Sequence, residues 1–354
     1  MSLDPLQSPD VLDVLDVLVV GGGPVGLASA IEARLQHLSV AVVEPRDGPI
    51  DKACGEGLMP SALRSLAALG VEVPGRPFVG IRYLDGRREA QARFRAGPGR
   101  GVRRTSLQAA LSRRADELGV ERLRAQVRTV DQGREVVTAA GRSARWLIAA
   151  DGLHSGVRRG LGLQGIEESR RGTARYGLRR HFSVAPWSDY VEVHWSPQAE
   201  AYATPIADDL VGVAVLTRAG TAYDEALQAF PALLARLRGA APVTDVRGAG
   251  PLRQRVTSVR QGRVLLVGDA AGYVDALTGE GLATGFASAR AAVHSLAAGQ
   301  PQRYGPAWAR ETRRSRMLTT GLLALTRHER PRSLLVPVAA RLPAGFAAAV
   351  DLLA

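Results

Sequence analysis

Short apolar runs, rich in β-branched residues, recur along this 354-residue chain at 17–20, 39–43, 145–150 and 263–267. Each is too short for a buried helix and is bounded by turn residues, so each predicts a strand of a parallel sheet covered on both faces. Helical spacing appears at 28–38, at 105–118 with Thr105 as N-cap, and at 284–297. A different pattern occupies the middle of the chain. Residues 79–84, 89–94, 174–184, 189–195, 199–205 and 210–217 are strand-like, and their short, turn-rich links predict antiparallel pairing. Residues 125–130 and 135–139 read as a strand pair and 223–237 as a helix. The tail reads as helices broken at Pro331 and Pro343. No internal repeat is visible. The class is α/β. A discontinuous parallel-sheet domain is expected from 12–75, 100–165 and 250–300. A second, β-rich domain is expected from 76–99 and 166–249, and a helical C-terminal segment from 301–354.

The first strand runs into Gly21-Gly22-Gly23-Pro24-Val25-Gly26, and Glu44 ends the second strand 18 residues after Gly26. In a strand–turn–helix unit of this kind, Gly21 makes the tight turn and Gly23 lets a pyrophosphate approach. Gly26 lets the helix pack close. The free N–H groups and dipole of the helix N-terminus favour the anion. Glu44 stands where a carboxylate accepts hydrogen bonds from an adenosine ribose, and it disfavours a 2′-phosphate. The unit therefore reads as a Rossmann-like site for FAD or NAD; the alternative is a purely structural glycine turn. Two later segments, Asp151-Gly152 and Gly268-Asp269, also read as flavin-binding elements and lie in the order a two-domain FAD oxidoreductase requires.

Composition narrows the picture. No apolar run reaches 18 residues, so no transmembrane helix is expected. Met1 to Asp16 is acidic and does not read as a secretory signal. The single cysteine, Cys54, excludes an intrachain disulfide framework, and the six histidines show no metal-ligand spacing. A cytoplasmic location is expected. The net charge of +12 comes almost wholly from scattered arginines, Lys52 being the sole lysine, with no basic run interleaved with aromatics. Nucleic acid is therefore not expected as a partner, although anionic ligands or membrane surfaces remain open.

With these elements placed, the chain resembles the p-hydroxybenzoate-hydroxylase-fold flavoproteins over about residues 14–300. That superfamily includes aromatic-ring monooxygenases, flavin halogenases and geranylgeranyl reductases. The resemblance implies a discontinuous Rossmann-like FAD-binding domain, non-covalent FAD, and NAD(P)H as a transient electron donor without a nucleotide domain of its own. It implies cofactor contacts from Gly21, Gly23, Pro24, Val25, Gly26, Glu44, Pro45 and Arg46. It also implies contacts from Cys54, Arg104 of Arg104-Thr105-Ser106-Leu107, Asp151, Gly152, Gly268 and Asp269, the last accepting a ribityl hydroxyl. Gly279, Gly281 and Leu282 open a helix aimed at the flavin pyrimidine.

The motifs Cys54-Gly55-Glu56-Gly57-Leu58 and Thr278-Gly279-Glu280-Gly281 look like those of the geranylgeranyl reductases. However, the reductase motif Tyr-x-Trp-x-Phe-Pro is replaced by Tyr202-Ala203-Thr204-Pro205, and the halogenase Trp-x-Trp-x-Ile-Pro is absent. Cys54 and Glu56 are the catalytic candidates, with Lys52 modestly lowering the thiol pKa; Cys54 can equally be a packing residue. His181, His194 and Tyr202 are candidate substrate contacts. The short chain and the missing reductase motif favour hydroxylation of an aromatic or polyketide-derived small molecule. The alternatives are reduction of a C=C bond in a hydrophobic substrate, or a non-catalytic flavin-binding module. The tail is expected to pack over the FAD domain or to form an apolar lid touching membrane.

Overall fold

The protein is described by a computed structural model at residues 14–165 and 174–354. The readings at 12–13, at 166–173 and over most of Met1 to Asp16 lie outside the described residues.

Leu15–Val20 lies at the centre of the first sheet, parallel to Val40–Val43 on one side and to Arg142–Ala149 on the other. Val264–Leu266 extends it beyond Arg142–Ala149, and Glu121–Leu123 closes the opposite edge. Val17, Leu18 and Val19 are wholly buried, as a continuous apolar run between two helical layers must be. Helix Pro24–Leu35 packs against Gly281–Ala297 and Arg104–Glu117. At one crossing Gly285 faces Val25 so closely that any side chain at Gly285 would push the valine away.

Residues 125–130 form no strand. The edge beside Val40–Val43 is taken by Glu121–Leu123, so Val127 and Val130 pack on the core without a ladder. Val137–Ala139 instead pairs with Asp131–Gln132 and with Arg142–Ala149. Thr105 is not a cap either. The helix begins at Arg104, whose N–H donates to Glu56 Oε1 at 2.8 Å. A carboxylate 48 residues away in sequence thus caps this helix, where its charge also suits the dipole.

The second sheet runs Ala241–Pro242, Arg175–Ser183, Leu210–Arg218, Glu200–Ala207, Tyr190–Trp195, Gly80–Leu84, Glu89–Arg93. Its pairs are antiparallel with one exception: Tyr190–Trp195 lies parallel to Gly80–Leu84, where two separate excursions from the first sheet meet. The expected helix 223–237 is two, Tyr223–Leu227 and Pro231–Arg236, because Pro231 has no N–H to continue the first and disfavours a helical Phe230.

The tail forms Tyr304–Thr326, Glu329–Ser333, Leu335–Arg341 and Pro343–Asp351. Pro331 lies in the first turn of its helix, where a missing N–H is harmless, so the break falls before it. Tyr304–Thr326 packs on the first domain, against Gly281–Ala297, and the Arg64 guanidinium of that domain donates to Ala354 O at 3.0 Å. The last helices cover the second sheet, with Val336, Phe346 and Val350 in one core with Ile81, Val193 and Trp195. Buried Arg332 fastens them there, paired to Glu200 at 3.1 Å and lying over the Trp195 ring.

Candidate functional site

Three loops from the first domain meet across a cleft facing the second sheet: the glycine turn 21–26, the loop 51–57 and the segment 268–281. Gly21 has φ +102°, and Gly26 touches Gly21 O so closely that a Cβ there would overlap it. Gly22 packs on the Glu44 side chain and donates its N–H to Glu44 Oε2 at 2.9 Å. Gly23 is different: a Cβ there would meet only the Arg104 guanidinium, at 3.9 Å. The turn is thus rigid behind and open in front. Gln108 secures it from helix Arg104–Glu117 by donating to Gly22 O at 2.6 Å. Burial alone would raise the Glu44 pKa. Hydrogen bonds from Arg46 and Gly22 outweigh it and hold the carboxylate below its usual range.

Charged groups converge in front of Gly23. Arg104 and Lys52 lie near Asp269, and both offset the burial that raises the Asp269 pKa. Burial lowers the Lys52 pKa, and the neighbouring cations Arg46 and Arg104 lower it further. Arg104 Nε and Asp151 Oδ1 are buried without a hydrogen-bond partner among the described residues. An open glycine backbone, crowded cations and unpartnered polar atoms fit a dinucleotide carrying a doubly charged diphosphate. Gly21, Gly23, Pro24, Gly26 and Arg104 can hold that part, and Asp269 a polyol hydroxyl. Asp151 Oδ2 accepts the Val157 N–H at 3.1 Å, which turns the chain into its short helix.

Arg158 is fully buried. It donates to Leu153 O, Asp269 O, Ala270 O and Gln254. It therefore ties the Asp151-Gly152 segment to the Gly268-Asp269 segment, a role its place in the sequence does not announce.

Across the cleft, alternate residues of strand Glu200–Ala207 share one face and hold two of the loops. Thr204 donates to Gly55 O at 2.8 Å, and Tyr202 donates to Leu277 O at 3.0 Å. Glu200 pairs with Arg175 at 3.0 Å, and Arg175 with Asp275 at 2.8 Å. This face sets how far the Cys54 loop stands from the Gly279 loop. Tyr202 therefore braces the cleft wall.

Cys54 is partly buried in its loop. Burial pushes its thiol pKa up; Arg104 opposes this, and the Glu56 carboxylate acts in the same direction as burial. Lys52 is not among the groups that set it, so the expected lowering by Lys52 does not occur and the thiol is neutral. Glu56 does not face the cleft. Its φ of +58° turns the side chain inward, where Oε2 lies 2.5 Å from His181 Nε2. His181 Nδ1 faces the Arg179 guanidinium at 3.1 Å. Arginine can only donate, so Nδ1 accepts and Nε2–H donates to Glu56. Arg179 also pairs with Asp51. His181 is thus a buried anchor of the 51–57 loop, with no contact to offer a substrate. His194 is buried as well, bonded to Glu192 at 3.2 Å behind the sheet strands.

Gly279 has φ +70°, and a Cβ there would lie 3.2 Å from the end of Met59. Tyr273 lies against Gly281, and its hydroxyl shares the electrostatic environment of Asp269 and Cys54. Glu280 is half-buried, its Oε2 has no partner among the described residues, and burial pushes its pKa up to about 7.

A family model described as FAD binding domain matches residues 14–301. The chain is 30% identical over 315 residues to a protein of Mycobacterium tuberculosis named menaquinone reductase, covering 80% of this chain and 77% of that one. It is 27% identical over 311 residues to the 6-methylpretetramide 4-monooxygenase of Streptomyces rimosus, covering 79% and 55%. Among solved structures, a flavin-dependent brominase superposes with a TM-score of 0.80 at 19% identity, covering 96% of this chain and 93% of that one; at that identity the likeness concerns the fold.

Proposed function

The chain belongs to the FAD binding domain family and is an FAD-dependent oxidoreductase, and from that premise we propose that it reduces a carbon–carbon double bond of a hydrophobic small molecule. NAD(P)H is the proposed electron donor. Bound FAD supplies the redox chemistry, and the protein contributes binding, orientation and proton handling. The observation that carries the reading is the Cys54 thiol, which burial keeps protonated and whose Sγ accepts the Glu56 N–H at 3.4 Å, on a loop that Glu56, His181 and Thr204 anchor. Saturating an alkene takes two electrons and two protons; one proton arrives with the electron pair as a hydride equivalent, and a thiol that burial keeps protonated can donate the other. The motif Cys54-Gly55-Glu56-Gly57 and the relative named menaquinone reductase support the same reading. Arg104 and Lys52 are proposed to hold the diphosphate, Asp269 the ribityl chain, and Gly281 with Leu282 the pyrimidine end of the flavin.

A second reading, oxygen-dependent hydroxylation of an aromatic or polyketide-derived substrate, is favoured by the Streptomyces rimosus relative, which aligns over most of this chain. One experiment separates them. NAD(P)H oxidation coupled to a hydrophobic alkene is followed with oxygen removed. Turnover that proceeds without oxygen and yields the saturated product supports reduction. Turnover that stops without oxygen, with oxygen-18 entering the product in air, overturns it in favour of hydroxylation.

A further inference from the structure

Exposed apolar side chains are concentrated in one stretch of the chain. Six of the eight exposed large apolar side chains among the described residues lie between Met317 and Leu352. Leu334, Val338 and Leu342 follow one another at intervals of four, and the backbone bonds Val338 N–H to Leu334 O and Leu342 N–H to Val338 O keep them on one face. Ala340, and Ala344, Ala348 and Ala349 on the next helix, are exposed as well. Between Glu329 and Asp351 the chain has no acidic residue, while Arg330 and Arg341 are exposed there. Residues 301–354 as a whole carry nine arginines against three acids. The opposite side of the same helices, through Val336 and Phe346, joins the core that contains Met59 and Leu277 beside the cleft.

No helix among the described residues is long and apolar enough to cross a bilayer; Glu329–Arg341 and Pro343–Asp351 meet at 105°. A bent, apolar, arginine-bearing face without acids matches a surface of mixed character: acyl chains just below a layer of anionic headgroups. A soluble acidic protein would match the arginines and leave the leucine row in water. We propose that the face formed by Leu334, Val338 and Leu342, with Arg330 and Arg341, docks the enzyme on an anionic lipid bilayer. The inference does not depend on which reaction the cleft performs.

The test is sedimentation of the FAD-loaded full chain with vesicles of phosphatidylcholine alone or containing phosphatidylglycerol at about a third of the lipid. The wild type is expected to sediment with the anionic vesicles and much less with the neutral ones. The triple variant Leu334→Ser, Val338→Ser, Leu342→Ser is expected to lose about tenfold in vesicle affinity, with FAD content and Tm unchanged because all three side chains are exposed. Arg341→Glu is expected to weaken binding to anionic vesicles alone. The proposal is overturned if the wild type ignores anionic vesicles or if the triple variant sediments as well as wild type. It is equally overturned if the wild type is a dimer that Leu342→Asp splits, since a second copy would then cover the face.

Discussion

At the residue scale, the cleft is a set of polar groups whose partners are only partly within the protein. Asp269 is the sharpest case: a partly buried carboxylate with cations around it that takes no hydrogen bond from any described side chain. If it accepts a ribityl hydroxyl, Asp269→Ala removes that acceptor at a cost of about 1–3 kcal/mol. FAD affinity should fall about tenfold or more in equilibrium titration, and unchanged affinity would remove Asp269 from the site. Cys54→Ala should leave FAD content intact. In a reductase it should slow product formation by about 10²-fold, whereas oxygen-coupled turnover persisting within a few-fold would make Cys54 a bystander in a hydroxylase. Glu280 makes a pH-dependent prediction. Its folded pKa of about 7 lies above the ordinary carboxylate value of 4.5, so folding favours the protonated form. Stability from this group is highest at low pH and is lost as pH rises from about 4.5 through 7. Glu280→Gln should therefore raise Tm at pH 8 and change it little at pH 5; an equal shift at both would refute the ionisation argument.

At the element scale, the strand Glu200–Ala207 does more than fill a sheet. Its alternate side chains reach across to Gly55 O, to Leu277 O and, through Arg175, to Asp275. Tyr202→Phe keeps the ring packing and strands the Leu277 carbonyl. The expected loss is about 1 kcal/mol of stability and a several-fold fall in kcat/KM with FAD still bound. If kcat/KM is unchanged, the strand does not brace the cleft. The tail makes a different claim. Its last helices share a core with the second sheet, and Arg332 is buried against Glu200. A truncation after Thr319 should expose Trp195, Val193 and Ile81 and aggregate; a soluble, FAD-loaded truncation would show that the tail is dispensable for folding.

At the scale of the whole molecule, the cations around Gly23 mean that the protein should fold more stably with its anionic cofactor than without it. FAD at about 100 times its Kd should stabilise the chain by about 2.7 kcal/mol, seen as a rise in Tm. The absence of any shift, and of a yellow chromophore on adding FAD, would end the flavoprotein reading at this cleft.

What was legible in the sequence was whatever depends on neighbours along the chain. The run Val17 to Val20, the glycine turn and Glu44 form one local unit, because a parallel strand, its turn and its helix are adjacent by construction. The strands of the second sheet were legible from their turn-rich links for the same reason. The sequence did not show what depends on residues far apart. Helix Arg104–Glu117 is capped by Glu56, and His181 turns to Glu56 across 125 positions. Glu121–Leu123 displaces residues 125–130 from the sheet edge. Tyr190–Trp195 lies parallel to Gly80–Leu84 although short links elsewhere make antiparallel pairs. The sequence alone therefore determined the cofactor-binding fold, through local turn and strand chemistry. Only the tertiary structure decided which polar side chains face the cleft, because a buried carboxylate or imidazole takes whichever partner the packed chain brings within hydrogen-bond reach.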